Sequence, residues 1–126
     1  MRNSSSAPVT PAAAVDSSAN LFVGTGSSIQ KFNSSGQYVL QWGTAGTGLG
    51  QFFDLGYLCT DAQGYVYASD NPLVGTVFNG RIQKFDTNGN FVCYVQITGD
   101  EMEGINVDPT GNLYAVDGKN ETILKF

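Results

Sequence analysis

Histidine is absent from all 126 residues. With it go the commonest general base, the Ser-His-Asp arrangement and the commonest zinc ligand. Cysteine is scarce: Cys59 and Cys93 are too few and too far apart for a zinc site. Charge is sparse as well, at 13% of residues, with six basic side chains against eleven acidic ones and a net charge of −5. Three of the six basic residues, Lys31, Lys84 and Lys125, fall in one repeated column. No basic cluster is left to follow a phosphate backbone, so nucleic acid is not an expected partner. No window holds a helical period over three turns, and no apolar run has the length of a membrane helix. The first residues carry one Arg, then Ser and Ala, without the apolar stretch of a signal peptide. A soluble chain is expected, with its compartment left open.

Sixteen glycines and 41% apolar residues point instead to many short strands joined by turns. The chain repeats itself. Ser28-Ile29-Gln30-Lys31-Phe32-Asn33-Ser34-Ser35-Gly36 returns as Arg81-Ile82-Gln83-Lys84-Phe85-Asp86-Thr87-Asn88-Gly89, and a third copy begins at Thr122-Ile123-Leu124-Lys125-Phe126. Ahead of each copy stands an Asp, at 16, 61 and 108, spaced by 45 and 47 residues, within the range of propeller blades.

Each copy reads as four strands. Strand A ends at the Asp. A turn comes next with Gly64, Gly111 or, unusually, Ala19 in its left-handed position, because few side chains accept positive φ cheaply. Strand B is Leu21–Val23, Val66–Ala68 or Leu113–Ala115, strand C is the Ile-Gln-Lys-Phe column, and strand D is Tyr38–Trp42 or Phe91–Ile97. Side chains alternate along a strand, so the Ile and the Phe of strand C point to opposite faces. A large apolar residue on each face predicts a sheet covered on both sides. These repeated columns are packing and turn positions.

The pattern Val-Asp-x-x-Gly-Asn-Leu-Tyr, then Arg-Ile-Gln-Lys-Phe-Asp-x-x-Gly-Asn-Phe, with Gly50-Gln51-Phe52 between copies, resembles the NHL repeat. The resemblance covers residues 12 to 126. Leu55 stands where a Pro is usual before strand A, and residues 98–104 lack the Gly-Gln-Phe signature. It implies an all-β fold of about three four-stranded antiparallel β-propeller blades, half of a six-bladed ring. Blade 1 is expected over about 12–46, blade 2 over 52–98 and an incomplete blade 3 over 103–126, after a disordered Ser/Pro-rich lead-in at 1–11. WD40 blades have similar length, but no Gly-His or Trp-Asp pair is present.

Half a ring leaves an apolar face open at each end, which a soluble monomer rarely tolerates. Two explanations stand: a fragment of a longer propeller, or copies that assemble into a homo-oligomeric ring, with residues 3–9 supplying a missing outer strand. The topology places Cys59 on the innermost and Cys93 on the outermost strand of one blade. About 14 Å separates such strands, against about 7 Å for a disulfide, so two free, buried thiols are expected.

The A–B and C–D turns share one side, and the B–C and D–A loops share the other. The second side varies, and its longest loop, residues 69–80, carries Leu73, Val74, Val77 and Phe78. Variable loops on a regular scaffold are where binding usually sits. The expected ligand- or partner-binding residues are therefore Asp70, Asn71, Phe78, Asn79, Arg81, Asp117, Lys119 and Asn120. Asp70, Asp100, Glu101, Glu103 and Asp117 are the candidates for calcium, although no calcium-loop spacing is present. The resemblance implies a non-enzymatic scaffold for a protein or small ligand. The alternative is part of a propeller lyase or lactonase-like hydrolase acting through metal-bound carboxylates. No catalytic residue and no required cofactor is legible.

Overall fold

The computed structural model describes residues 12–75, 77–78, 80–97, 102–117 and 122–125. All of their regular structure is β, and none of it is a helix long and apolar enough to cross a membrane. The lead-in at 1–11 and the expected outer strand at 3–9 lie outside the described residues.

The first sheet is an antiparallel meander of β1 (Ala12–Val15), β2 (Leu21–Thr25), β3 (Ser28–Phe32) and β4 (Tyr38–Trp42). A short parallel pair, β5 (Thr44–Ala45) and β6 (Gln51–Phe52), leads out of it. The second sheet repeats the meander with β7 (Leu58–Thr60) and β8 (Val66–Asp70). It then inserts a small hairpin of β9 (Leu73–Val74) and β10 (Val77–Phe78), with Gly75 in its turn at φ 65°. It continues with β11 (Arg81–Phe85) and β12 (Phe91–Gln96). The third sheet has β13 (Met102–Val107), β14 (Leu113–Asp117) and β15 (Thr122–Lys125). The long insertion is thus not an irregular loop: β8 runs on to Asp70, and β9 and β10 pair with each other beyond it.

The turns are built on one acceptor. In each A–B turn the Asp Oδ1 receives two backbone N–H groups, two and four residues on. Asp16 receives Ser18 and Asn20, Asp61 receives Gln63 and Tyr65, and Asp108 receives Thr110 and Asn112, at 2.8–3.0 Å. Asn33 and Asp86 repeat the arrangement in the C–D turns. The paired Asn donates its side-chain amide to the other oxygen, as Asn20, Asn90 and Asn112 do. Where Tyr65 replaces that Asn, the Tyr67 hydroxyl donates to Asp61 Oδ2 instead, at 2.9 Å. This is the side-chain mimic of a turn that Asp and Asn make well. Ala19 takes the left-handed place, at φ 63°, as the sequence predicts.

Alternation along β11 sends Ile82 and Phe85 to opposite sides, and each enters a different core. One core joins Phe22, Ile29 and Phe52 to Leu58, Val66, Ala68 and Phe85, between the first and second sheets. The other joins Cys59, Tyr67 and Ile82 to Ile97, Leu113 and Ala115, between the second and third. Each fully buried Phe or Ile contributes about 2–3 kcal/mol of transfer free energy. The second sheet is therefore covered on both faces. Both cysteines are free. Cys59 is buried, but Cys93 is exposed, contrary to expectation: it lies on β12, the outer edge of its sheet.

Candidate functional site

The connection between the first two sheets, residues 46–57, is irregular apart from β6 yet firmly held. Four side chains of the second sheet hold it. Asp70, at the end of β8, accepts the backbone N–H of Phe53 (3.0 and 3.1 Å to its two oxygens) and of Asp54 (2.6 Å). Arg81, paired with Asp70 across the sheet, donates Nη1 to Thr47 O and Nη2 to Gly48 O and Gln51 O, at 2.9–3.0 Å. Its Nη2 also meets Asp70 Oδ2 at 3.2 Å. Gln83, on the same face of β11, accepts Gly50 N–H and donates to Gln51 O. On the other face, Ser69 Oγ accepts Tyr57 N–H at 2.6 Å and Ser69 O accepts Gly56 N–H at 2.9 Å.

Asp70 is 1% exposed and Arg81 5%. A buried carboxylate and guanidinium are tolerated only when each meets an opposite charge and its polar atoms are satisfied. Here each meets its counter-charge, and the backbone they satisfy is the loop itself. The Gly50-Gln51-Phe52 signature has a physical cause in this clamp: Gly50 and Gln51 supply the groups that Gln83 and Arg81 bind, and Phe52 enters the first core. Gly50 adopts φ 77°, which suits glycine.

Held this way, the connection turns three large apolar side chains outward. Leu49 is 59% exposed, Phe53 48% and Tyr57 42%. Beside Leu49 opens a cavity of about 270 Å³, lined by Thr47, Gly48, Leu49, Pro72, Arg81, Tyr94 and Gln96. Tyr94 is itself 48% exposed. Arg81 Nε is buried without a hydrogen-bond partner among the described residues.

Of the residues the sequence proposed for binding, Asp70 and Arg81 are brought together, as the clamp beneath the loop. Asn71 comes directly after Asp70. Phe78 lies in β10, its backbone paired with Leu73. Asp117 ends β14, paired with Met102 and Thr122. Asn79, Lys119 and Asn120 lie outside the described residues. Of the calcium candidates, Asp100 and Glu101 also lie outside them. Glu103 is exposed on β13. Both Asp70 oxygens are engaged by N–H donors and Arg81, so its charge is already balanced. Among the described residues no three His, Cys, Asp or Glu side chains gather as metal ligands would. Leu49, Phe53, Tyr57 and Tyr94 were missing from the sequence-based set. The signal for the first three was their place beside Gly50-Gln51-Phe52.

Two titratable groups stand near the second core. Burial, and next the Asp61 charge, push the Cys59 thiol up to about 12. Burial, and next the hydrogen bond to Asp61, raise the Tyr67 phenol above its ordinary value. Neither is poised as a nucleophile or base near neutral pH.

No protein-family profile and no curated protein matches this chain. Solved structures do. A Bacteroides fragilis protein, described as a candidate for export, superposes with a TM-score of 0.65 at 20% identity, over 91% of this chain and 32% of its own. A Bacteroides caccae protein of unknown function gives 0.62 at 9% identity, over 96% and 47%. U3-55K gives 0.59 at 14% identity, over 96% and 37%. The present chain thus spans 32–47% of the length of these structures. At such identities the likeness is one of fold.

Proposed function

We propose that this chain is a non-enzymatic β-propeller segment of the NHL type, its sheets acting as blades of a binding scaffold. The working surface is the connection at 46–57 with the adjoining cavity, and the partner is a protein segment or ligand with an apolar group. One observation carries the reading. A buried polar clamp of Asp70, Arg81, Gln83 and Ser69 fixes an irregular connection whose Leu49, Phe53 and Tyr57 point outward. Ordering a loop before binding removes part of the entropy cost of association, and exposed aromatic side chains at an interface are frequent energetic anchors.

The test selects peptides from a displayed random library on the intact chain and measures their affinity by calorimetry. Leu49→Asp and Tyr94→Asp are both exposed substitutions that leave the clamp untouched. Either is expected to weaken a selected peptide at least tenfold, about 1.4 kcal/mol. Peptides that bind both variants as well as the original chain would overturn the assignment.

A further inference from the structure

Among the described residues, the first and third sheets each leave one face open, and the two faces are of complementary kind. Phe22, Ile29 and Lys31 of the first sheet look toward the second. By register, Tyr67, Ile82 and Lys84 take the same places in the second sheet and look toward the third. Tyr114, Ile123 and Lys125 take them in the third sheet, where nothing described lies against them. Ile29 is 0% exposed and Ile82 1%, but Ile123 is 70% exposed.

The receiving faces repeat in the same way. Thr60, Val66, Phe85 and Phe91 form one cross-strand row that the second sheet presses on the first. Its counterpart in the first sheet is Val15, Leu21, Phe32 and Tyr38, facing outward. Val15 and Tyr38 are 59% and 57% exposed. Among the described residues, the third sheet thus presents an uncovered giving face and the first an uncovered receiving face.

The lysine of this column lies over the ring of its own sheet in all three copies, and in the first it also reaches a turn of the next sheet. Lys31 Nζ lies 5.7 Å from the Phe22 ring and donates to Thr87 O and Oγ1, in the C–D turn of the next sheet. Lys125 Nζ lies 6.0 Å from the equivalent Tyr114 ring and is exposed. In the first sheet the place of Thr87 is taken by Ser34, which is exposed and offers the same carbonyl and hydroxyl acceptors.

We infer that the chain binds a second copy of itself head to tail. The Tyr114, Ile123 and Lys125 face of one copy covers the Val15, Leu21, Phe32 and Tyr38 face of the other, and Lys125 donates to Ser34. The occupant is a second copy because the chain's own interface between the first and second sheets already specifies this pairing, down to the lysine and the turn that receives it, and the same apolar column is buried again between the second and third. Unlike faces make a heterologous contact, which closes into a ring when the rotation per copy allows and otherwise grows as an open chain. Apolar rows of this size are seldom left exposed on a soluble monomer. This association does not depend on the loop site.

Light scattering on the intact 13.4 kDa chain tests it. The expected mass is at least twice that of one copy. Ile123→Asp and Tyr38→Asp each change an exposed residue on one of the two faces, and each alone should return the mass to a single copy, with the β-sheet circular dichroism unchanged. Mixed in equal amounts, the two variants should associate, since each retains the face that the other has lost. Lys125→Met should weaken association about tenfold, the loss of roughly one charged hydrogen bond. A single-copy mass for the original chain across the micromolar range would overturn the inference. So would variants that still associate alone, or a mixture that stays apart, which would mean that like faces pair.

Discussion

Lys31 reaches 56 residues along the chain to donate its ammonium to both oxygens of Thr87, the carbonyl and the hydroxyl, each at 2.8 Å. The lysine is 8% exposed. Its contact joins the C strand of one sheet to the C–D turn of the next. Lys84 occupies the same column but lies over the rings of Tyr65 and Tyr67, at 4.2 and 5.6 Å. The column thus serves as a latch between the first and second sheets.

Replacing Lys31 by Met keeps the stem that packs over Phe22 and removes the two hydrogen bonds. A loss of about 1–2 kcal/mol is expected in urea unfolding. Thr87→Val, which keeps the carbonyl acceptor, should cost less, and the double variant should show coupling of the same order. Additive effects would place the stability elsewhere.

Two turn positions should respond in opposite directions. Gly89 has φ 84°, and a Cβ there would stand 2.6 Å from the Trp42 ring. Gly89→Ala is expected to destabilise by about 2–3 kcal/mol, from backbone strain and overpacking together. Ala19 already bears a Cβ at φ 63°. Ala19→Gly relieves a left-handed penalty of about 1–2 kcal/mol against a somewhat smaller entropic cost, so a modest gain in thermal midpoint is expected. A loss at position 19 would show that Ala19 is not strained.

The thiols should separate by reactivity. Cys93 is exposed, whereas Cys59 is buried and its thiol is pushed up to about 12. A thiol reagent at mildly alkaline pH should label one cysteine per chain quickly and the second only with denaturant. Equal rates would mean that the core around Cys59 opens readily.

Asp86 and Asp108 shape the acid limb of stability. Hydrogen bonds from Asn112, first its side chain and then its backbone, hold Asp108 well below the usual carboxylate range. Backbone and side-chain bonds from Asn90 lower Asp86. Groups depressed in the folded state add stability above the unfolded value of about 3.9, and that stability is lost as pH falls through the folded values. The melting temperature should therefore drop as pH falls below about 4. Asp86→Asn with Asp108→Asn should flatten that drop. An unchanged acid slope would contradict it.

Local chemistry was legible in the sequence and remote chemistry was not. The Asp and Gly columns announced the turns, and Ala19 was recognisable as the odd member, because a turn is settled within five residues. The opposed faces of Ile82 and Phe85 came from alternation alone. In the sequence Asp70 and Arg81 stand as charged residues beside an insertion, which reads as a binding rim. Their true neighbours are backbone groups at 47–54, brought close by the stacking of two sheets, which no local pattern announces. Cys93 differs: the repeat pattern places it on the outermost strand, where it lies, but whether a side chain there is covered depends on how sheets stack, which no local pattern announces.

If the buried clamp orders the 46–57 connection before anything binds it, amide hydrogen exchange on the intact chain will show it. The reading is taken at Gly50, Phe53, Asp54 and Tyr57, whose N–H groups donate to Gln83, Asp70 and Ser69. These four amides should be protected nearly as well as those of β8 and β11. Asp70→Asn should release Phe53 and Asp54 first and cost about 3–5 kcal/mol, the penalty for leaving Arg81 buried without its counter-charge. Exchange at the four amides as fast as in an open loop, with no change on substituting Asp70, would contradict an ordering clamp.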